Sequence, residues 1–485
     1  MESIKNQTVS GVKWATISRF TNIGISFVVG IILARLLTPA DYGILGVYGI
    51  FFAIATTFID SGFASALIQR KNLTNTDCST IFYFNIAIGV LFYLIFFFTS
   101  PLIADFFAMP ILEDIIKVTA LNLLIGSLCI VQRTLYRRQV DFKTIGIAEV
   151  ISNFCSGIVG ISFAYYGYGV WALVYQQLTN SILNSVLLWI LSKWRPLFVF
   201  SWKSFKEMFA YSGNILATGL LWTIYSEGRS FAIGKFYSHV ELGLYTHGTK
   251  LSSLLSSNIT GILQSVTFPI LAKIQDDDER LINVYRKYIK FTSMIIFFLM
   301  FLLATVAEPL IKFLYTDKWM GAVIYTQIIV FSLIFDHISQ LNLNVYYVKG
   351  KTSIVLRLEI IKRIISFAIL IASIPFGVIA ICLSTVIYAQ IALLLNTYYT
   401  GKLFNYGFIE QWKDFGSYFI VSAISMIPSY LLTFLNLPDI VLLIICSIVA
   451  LIIYIGILRI RKDEIFEEYI VQEVQIRYNK LKHRR

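Results

Sequence analysis

Residues 34–43 read Ala34-Arg35-Leu36-Leu37-Thr38-Pro39-Ala40-Asp41-Tyr42-Gly43, and residues 234–243 read Gly234-Lys235-Phe236-Tyr237-Ser238-His239-Val240-Glu241-Leu242-Gly243. A small residue, a base, a hydroxyl, an acid and a glycine recur in the same order at an offset of 200. A second echo pairs the stretch Phe63 to Lys71 with the stretch Thr267 to Gln275. Together they place comparable outer turns and inner exits around the first helix pair of each half. The chain therefore reads as two related bundles of about six helices, and parallel repeats of this kind suit alternating access around a central cavity. Six spans precede the second copy, so it enters the membrane in the same direction as the first. The division expected is 1–200 for the N-terminal six-helix bundle and 201–400 for the second. Two additional transmembrane helices follow over 401–462, and 463–485 forms a cytoplasmic basic tail.

Composition fixes the solvent in which those helices fold. Of 485 residues 57% are hydrophobic and 14% charged, and the mean hydropathy is +0.73, whereas soluble chains carry about 25% charge. A soluble enzyme, a disordered chain and a secreted disulfide scaffold are excluded. Cutting at polar breaks gives about fourteen spans of the roughly 20 residues a bilayer requires. They cover 13–36, 42–68, 80–103, 113–135, 146–166, 169–192, 209–233, 243–270, 291–314, 321–347, 354–374, 377–397, 415–434 and 439–459. The fold class is thus an all-α polytopic membrane protein.

Forty Lys and Arg against 28 Asp and Glu give a net charge of +12. With both termini in the cytoplasm, about 30 bases fall on the inner side and about 5 outside, the asymmetry expected of a membrane protein. The excess is topological and implies the lipid bilayer as partner, with no nucleic acid. The first helix shows no cleavage signal and is expected to be retained. Cys78, Cys129, Cys155, Cys382 and Cys446 are dispersed without zinc spacing and read as small core residues. Gly350-Lys351-Thr352 lacks the first glycine of a phosphate loop, Val345 standing in its place. The run Asp276 to Glu279 reads as a solvated acidic turn, and Trp171, Trp194, Trp202 and Trp319 read as interfacial anchors. No loop is long enough for a catalytic domain, and no nucleophile, base and acid assemble.

An ionisable group in mid-membrane costs about 2.5–3.5 kcal/mol on insertion scales and so faces a partner or a wet cavity. Arg19 lies in the first span and Asp60 in the second. Glu227 and Arg229 lie in the seventh and Lys250 in the eighth, which repeat that pair. Asp336 and His337 lie in the tenth, and Glu359, Lys362 and Arg363 in the eleventh. In one reading Arg19, Arg229 and Lys250 line a cavity between the halves and bind an anionic headgroup, with Lys362 and Arg363 as secondary members. Guanidinium forks suit phosphate oxygens, and lysine acts as a point charge. In the other reading the charges neutralise one another, Glu359 pairing Lys362 or Arg363 one turn on. Asp60, Glu227 and Asp336 are candidates for coupling to H+ or Na+, or for countering cavity charge. No metal and no other cofactor is expected.

Five stretches carry a resemblance. Ala34 to Gly43, Gly62-Phe-Ala-Ser-Ala-Leu-Ile-Gln-Arg-Lys71, Arg138-Gln-Val-Asp-Phe-Lys143, Gly169-Val-Trp-Ala-Leu-Val174 and Glu308-Pro-Leu-Ile-Lys-Phe-Leu-Tyr-Thr-Asp-Lys-Trp319 span most of the chain. They resemble the lipopolysaccharide and exopolysaccharide flippases of the multidrug/oligosaccharidyl-lipid/polysaccharide exporter superfamily, nearest in type to the colanic-acid exporters. That resemblance implies a multi-pass protein of the bacterial inner membrane. Its substrate would be an undecaprenyl-diphosphate-linked oligosaccharide, moved from the cytoplasmic to the periplasmic leaflet for surface polysaccharide synthesis alongside polysaccharide assembly proteins. It also implies a cationic cavity that recruits the diphosphate, for which Arg19, Arg229 and Lys250 are candidates by span position. One rival is an ion-coupled small-molecule antiporter on the same architecture, which predicts a cavity richer in acids than in bases. The other is a membrane polysaccharide polymerase or ligase, which predicts sizeable external loops bearing essential Arg, His or Asp.

Overall fold

The computed structural model describes residues 2–60 and 62–472 and, within them, all side chains but those of 2–10, 12, 257–259 and 262–266. Every regular element among the described residues is helical. The first ten helices are α1 (Glu2–Leu36), α2 (Pro39–Asp60), α3 (Phe63–Gln69), α4 (Asn75–Phe106), α5 (Ile111–Thr119), α6 (Leu121–Ser127), α7 (Ile130–Arg138), α8 (Phe142–Tyr165), α9 (Val170–Leu191) and α10 (Trp202–Phe236). Then follow α11 (His239–Lys273), α12 (Asp278–Thr305), α13 (Ala307–Tyr315), α14 (Ala322–Leu333), α15 (Asp336–Val348), α16 (Thr352–Ser373), α17 (Val378–Phe404), α18 (Phe408–Leu432) and α19 (Asp439–Ile460). Two compact units result, Met1–Gly243 and Leu244–Arg485.

Among the described residues ten stretches are long and apolar enough to cross a membrane. Four further helices, α9, α10, α11 and α16, lie at expected spans but are more polar, so ten of the expected crossings are supported by apolarity. Four spans are broken. The stretch 42–68 falls into α2 and α3, 113–135 into α5, α6 and α7, and 321–347 into α14 and α15, while 291–314 breaks at Val306, where α12 gives way to the short α13. Large apolar side chains such as Ile190, Leu221 and Ile452 point outward, the arrangement that lipid rather than water favours.

The echoed motif has a physical meaning at its two turns. Helix α1 ends at Leu36 and α10 at Phe236, while α2 begins at Pro39 and α11 at His239. Thr38 and Asp41 cap each other, the Thr38 N–H donating to the Asp41 carboxylate at 2.8 Å and the Asp41 N–H to the Thr38 hydroxyl at 3.4 Å. At the second turn the Glu241 N–H donates to the Ser238 hydroxyl at 3.2 Å. The glycines close the contact: a Cβ on Gly43 would overlap the His239 carbonyl, and one on Gly243 would overlap the Pro39 carbonyl. Backbones at such range admit only glycine.

The compact division falls at Gly243, not at the repeat boundary of 200. Helix α10 opens the second repeat in sequence, yet it packs on α2, α3 and α4. The Thr57 and Thr223 hydroxyls bond at 2.9 Å, Arg70 bridges to Glu207 at 3.1 Å, and Gly62, at φ 69°, gives way to Ile215.

The other quoted stretches are turns and caps as well. The Arg138 guanidinium donates to the carbonyls of Leu67 and Arg70, both at 2.6 Å, and of Lys71 at 3.1 Å, closing the C-terminus of α3. Asp141 caps α8 by accepting from the Thr144 N–H at 3.1 Å. Trp319 is fully buried against His247, their ring centroids 4.0 Å apart, and so is no interfacial anchor. In the acidic turn Asp277 caps α12 and Asp278 pairs with Lys349.

In Leu244–Arg485, α18 packs against α12 and α19. The Tyr454 hydroxyl donates to the Met294 carbonyl at 2.7 Å. Arg286 grips Asp414 through two bonds of 2.7 and 3.1 Å, Lys290 lies 3.4 Å away, and the Tyr406 hydroxyl donates to the same carboxylate at 2.6 Å. Burial, and the Asp414 carboxylate beside it, push the Tyr406 phenol far above its ordinary range, so it remains a donor. Beyond Asp463 the chain folds back far enough for Glu468 to meet Lys287 at 3.1 Å. The rest of the expected basic tail, 473–485, lies outside the described residues.

Candidate functional site

A polar stripe on an apolar helix needs somewhere to face. On α9, Gln176, Asn180 and Asn184 recur every four residues with Gln177 and Ser181 alongside, so all five share one face. Glu149, Asn153 and Ser156 do the same on α8, Asn22 and Ser26 on α1, and Thr56 and Asp60 on α2. These faces converge within Met1–Gly243 on a two-chambered cavity.

The first chamber, about 560 Å³, is lined by Asn22, Ser26, Asp60, Glu149 and Asn184 among others, with Arg133 from α7. The second, also about 560 Å³, is lined by Tyr48, Phe52, Gln176 and Gln177. Thr56, Asn122, Leu123, Asn153, Asn180 and Ser181 line both, so the two are continuous.

Part of this lining is tied down. The Asn153 amide donates to the Ser26 hydroxyl at 2.9 Å and to the Asn22 carboxamide oxygen at 3.3 Å, joining α8 to α1. Asn180 donates to Ser156 at 3.3 Å, and Arg133 to the Asn184 amide oxygen at 2.7 Å. Close helix approach at Gly146 and Gly157, which face Ser18 and Val29, holds the α1–α8 wall. Part is not tied down: both polar atoms of the Asn122 amide, and Nε of Arg133, are buried without a hydrogen-bond partner.

The structure places the charged residues singled out in the sequence as follows. Asp60, at the end of α2, faces the first chamber. Arg19 is exposed on α1, one turn before Asn22. Arg229 is half-buried with its guanidinium 5.5 Å from the Tyr225 ring centre, and the Glu227 carboxylate approaches Gly49 of α2. Neither Arg19 nor Arg229 lines the two chambers.

In the second unit Lys250 is exposed on α11, and Asp336 opens α15. Lys362 and Arg363 both pair with Glu359, Arg363 at 3.0 Å, which is the neutralised arrangement. Among the described residues no cluster of three or more His, Cys, Asp or Glu is arranged for a metal.

Sequence reasoning that searched for intramembrane charge found Asp60 and missed the rest of this cavity. Arg133 and Glu149 lie inside expected spans but close to their ends, and were not among the charges singled out. The amides carry no charge to notice. The period of four in Gln176, Asn180 and Asn184 was the available signal.

A family model described as "Polysaccharide biosynthesis protein" matches residues 32–324. The teichuronic acid biosynthesis protein TuaB of Bacillus subtilis is 26% identical over 362 residues, 73% of this chain and 74% of TuaB. The lipopolysaccharide biosynthesis protein WzxC of Escherichia coli is 25% identical over 326 residues, 65% of each chain. Among solved structures, the lipid II flippase MurJ in an inward closed conformation superposes with a TM-score of 0.76 at 17% identity, covering 92% of this chain and 98% of MurJ. An inward-facing multidrug resistance MATE family transporter of the MOP superfamily gives 0.57 at 14% identity, covering 78% and 94%. The fold is that of these multi-pass membrane transporters.

Proposed function

This chain belongs to the polysaccharide biosynthesis protein family, and from that premise we propose that it is a flippase for an undecaprenyl-diphosphate-linked oligosaccharide. It carries that lipid from the cytoplasmic to the periplasmic leaflet of the bacterial inner membrane by alternating access, with both termini cytoplasmic, and hands it to polysaccharide assembly proteins. The observation that carries this reading is a polar, amide-lined cavity inside a bundle with outward-facing apolar side chains and a MurJ-like fold. A lipid-linked sugar requires such a polar route for its head while its isoprenoid tail stays in lipid. The family match and the flippase-like fold favour transport over the polymerase or ligase alternative.

Arg19, Arg229 and Lys250 are proposed to attract the diphosphate, and Asp60, Glu227 and Asp336 to couple transport to H+ or Na+. The test is leaflet translocation of a labelled undecaprenyl-diphosphate oligosaccharide by purified protein in liposomes, with and without pH and Na+ gradients. Wild-type protein is expected to transport, Arg19→Ala/Lys250→Ala to lose most of that activity while still inserting, and Asp60→Asn to lose gradient dependence. Full transport by the double variant removes the cationic site.

A second reading has a specific observation in its favour. The cavity in Met1–Gly243 contains two carboxylates, Asp60 and Glu149, against one guanidinium, Arg133, which is the balance expected of a cation antiporter. Efflux of a cationic dye, absent lipid translocation, would establish it.

A further inference from the structure

Small-molecule sites are lined mainly by apolar side chains with a few placed polar groups. The cavity in Met1–Gly243 inverts that composition. Asn22, Asn122, Asn153, Asn180, Asn184, Gln176 and Gln177 bring seven carboxamides to it, a group type that both donates and accepts, although Asn153, Asn180 and Asn184 spend part of that capacity within the lining. Neutral amides in this density answer a ligand dense in hydroxyl groups. The second chamber adds Tyr48, nearly buried, and Phe52, which stacks one face on Phe96 at 4.9 Å, so Phe52 is the aromatic group left to meet the apolar C–H face of a pyranose.

Charge separates this site from the lipid diphosphate. Asp60 and Glu149 outnumber Arg133, and Arg133 already donates to Asn184. A diphosphate brought here would meet like charges in a weakly screened setting. A sugar would meet none of that repulsion.

Asn122 lines both chambers, and its amide, like those of Asn85, Gln132 and Asn396 away from them, is buried with neither its nitrogen nor its oxygen bonded. An unmade bond of this kind costs stability, and a leucine of similar size would remove the cost. Both amide atoms are closed off, so a turn of the Asn122 side chain toward the junction is what would bring them to a hydroxylated molecule there.

We propose that this two-chambered cavity is the glycan subsite of the transporter, holding two or more pyranose units of the lipid-linked oligosaccharide by amide–hydroxyl hydrogen bonds and aromatic contact, apart from the diphosphate. The proposal rests on the flippase reading and assigns the sugar to Met1–Gly243. Asn122, at the junction, and Asn180, on the α9 stripe, are its recognition residues.

Native mass spectrometry of the full chain in nanodiscs tests it, with three probes: bare undecaprenyl diphosphate, the lipid-linked oligosaccharide pool extracted from the source cells, and ethidium. Wild-type protein is expected to retain the oligosaccharide-bearing lipid at least tenfold better than the bare lipid. Asn122→Leu should cut that preference about tenfold, leave bare-lipid binding unchanged, and melt at or above the wild-type temperature. Asn180→Leu should act in the same direction, and Asn180→Gln should restore part of the preference.

If wild type binds both lipids equally, or if Asn122→Leu keeps the full preference, the glycan subsite is overturned and the flippase reading stands. If wild type binds neither lipid, the flippase reading itself falls. Ethidium binding that Asp60→Asn abolishes, without oligosaccharide binding, assigns the cavity to a cation instead. Should Asn180→Leu fail to fold, Asn122→Leu decides alone, because its side chain holds nothing in place.

Discussion

The two compact units place their buried polarity differently. In Leu244–Arg485 several polar side chains close on one another, although the Asn396 amide, like that of Asn122, is buried with neither polar atom bonded. Asp414 receives Arg286 and Tyr406, the Asn342 amide donates to Gln411 at 3.0 Å and accepts from Thr400, and Glu359 is shared by Lys362 and Arg363. In Met1–Gly243 the same kinds of residue stand around open volume with bonds left over at Asn122 and Arg133. Closed networks fix a shape, whereas open ones can take a ligand, and hydropathy cannot tell the two apart because both lower it equally.

The sharpest way to break this comparison is at the turn pair that opens α2 and α11. Gly43→Ala or Gly243→Ala should each cost about 3 kcal/mol or more, since backbone cannot retreat from the added methyl. Thermal unfolding of the detergent-solubilised protein would show a large drop for both. Gly30→Ala, with nothing within 4 Å of its Cβ, should be neutral or slightly stabilising.

Next in size is Asp414→Ala. It strips a buried acceptor from Arg286 and from the buried Tyr406 hydroxyl, with an expected loss of about 2 kcal/mol once the partial exposure of Arg286 is allowed for. Asp414→Asn should recover part of it, and protease sensitivity of Leu244–Arg485 in detergent reports both. Because α18 carries that acid, a deletion of 401–485 would remove a structural partner of α12. Loss of transport in that deletion is therefore informative only beside a fold measurement.

A smaller effect sharpens the contrast inside the cavity. Asn153→Ala cuts the tie between α8 and α1 and should lower stability by about 1 kcal/mol, while Asn122→Leu should not lower it at all. Equal melting losses for the two would mean that both amides are structural. The least effect is expected of Lys362→Met. Arg363 keeps Glu359 paired, so stability should change by less than about 1 kcal/mol, and unchanged translocation would strike Lys362 from the cavity candidates.

The sequence disclosed the frame of the molecule better than its interior. Thr38, Asp41, Gly43, Arg138 and Asp141 act locally or through backbone, so their chemistry is written in short motifs and their turns fall where the pattern puts them. Asp60 was legible because charge is rare in a span. The break at Ala120 was not, since it interrupts an apolar run without a proline or glycine beside it, whereas the break at Val306 was within reach, because Pro309 cannot donate to the Thr305 carbonyl at which α12 ends. The cavity was the least legible, because Asn22, Asn122, Asn153 and Asn180 come from four helices and only folding makes them neighbours. A search for polar periodicity, rather than for charge, would have found the α9 face.

The reciprocal glycines also set a rule for length. Gly43 covers the first residue of α11 and Gly243 the first residue of α2, so what must be conserved in spacing is the few residues from Leu37 to Gly43 and from Tyr237 to Gly243. The offset of 200 between them is free to drift wherever a loop admits an insertion. In chains of this architecture the two turns should therefore stay constant in length while the distance separating them varies, and a single residue inserted inside either turn should be tolerated far less than a much longer one placed in the linker at 193–201.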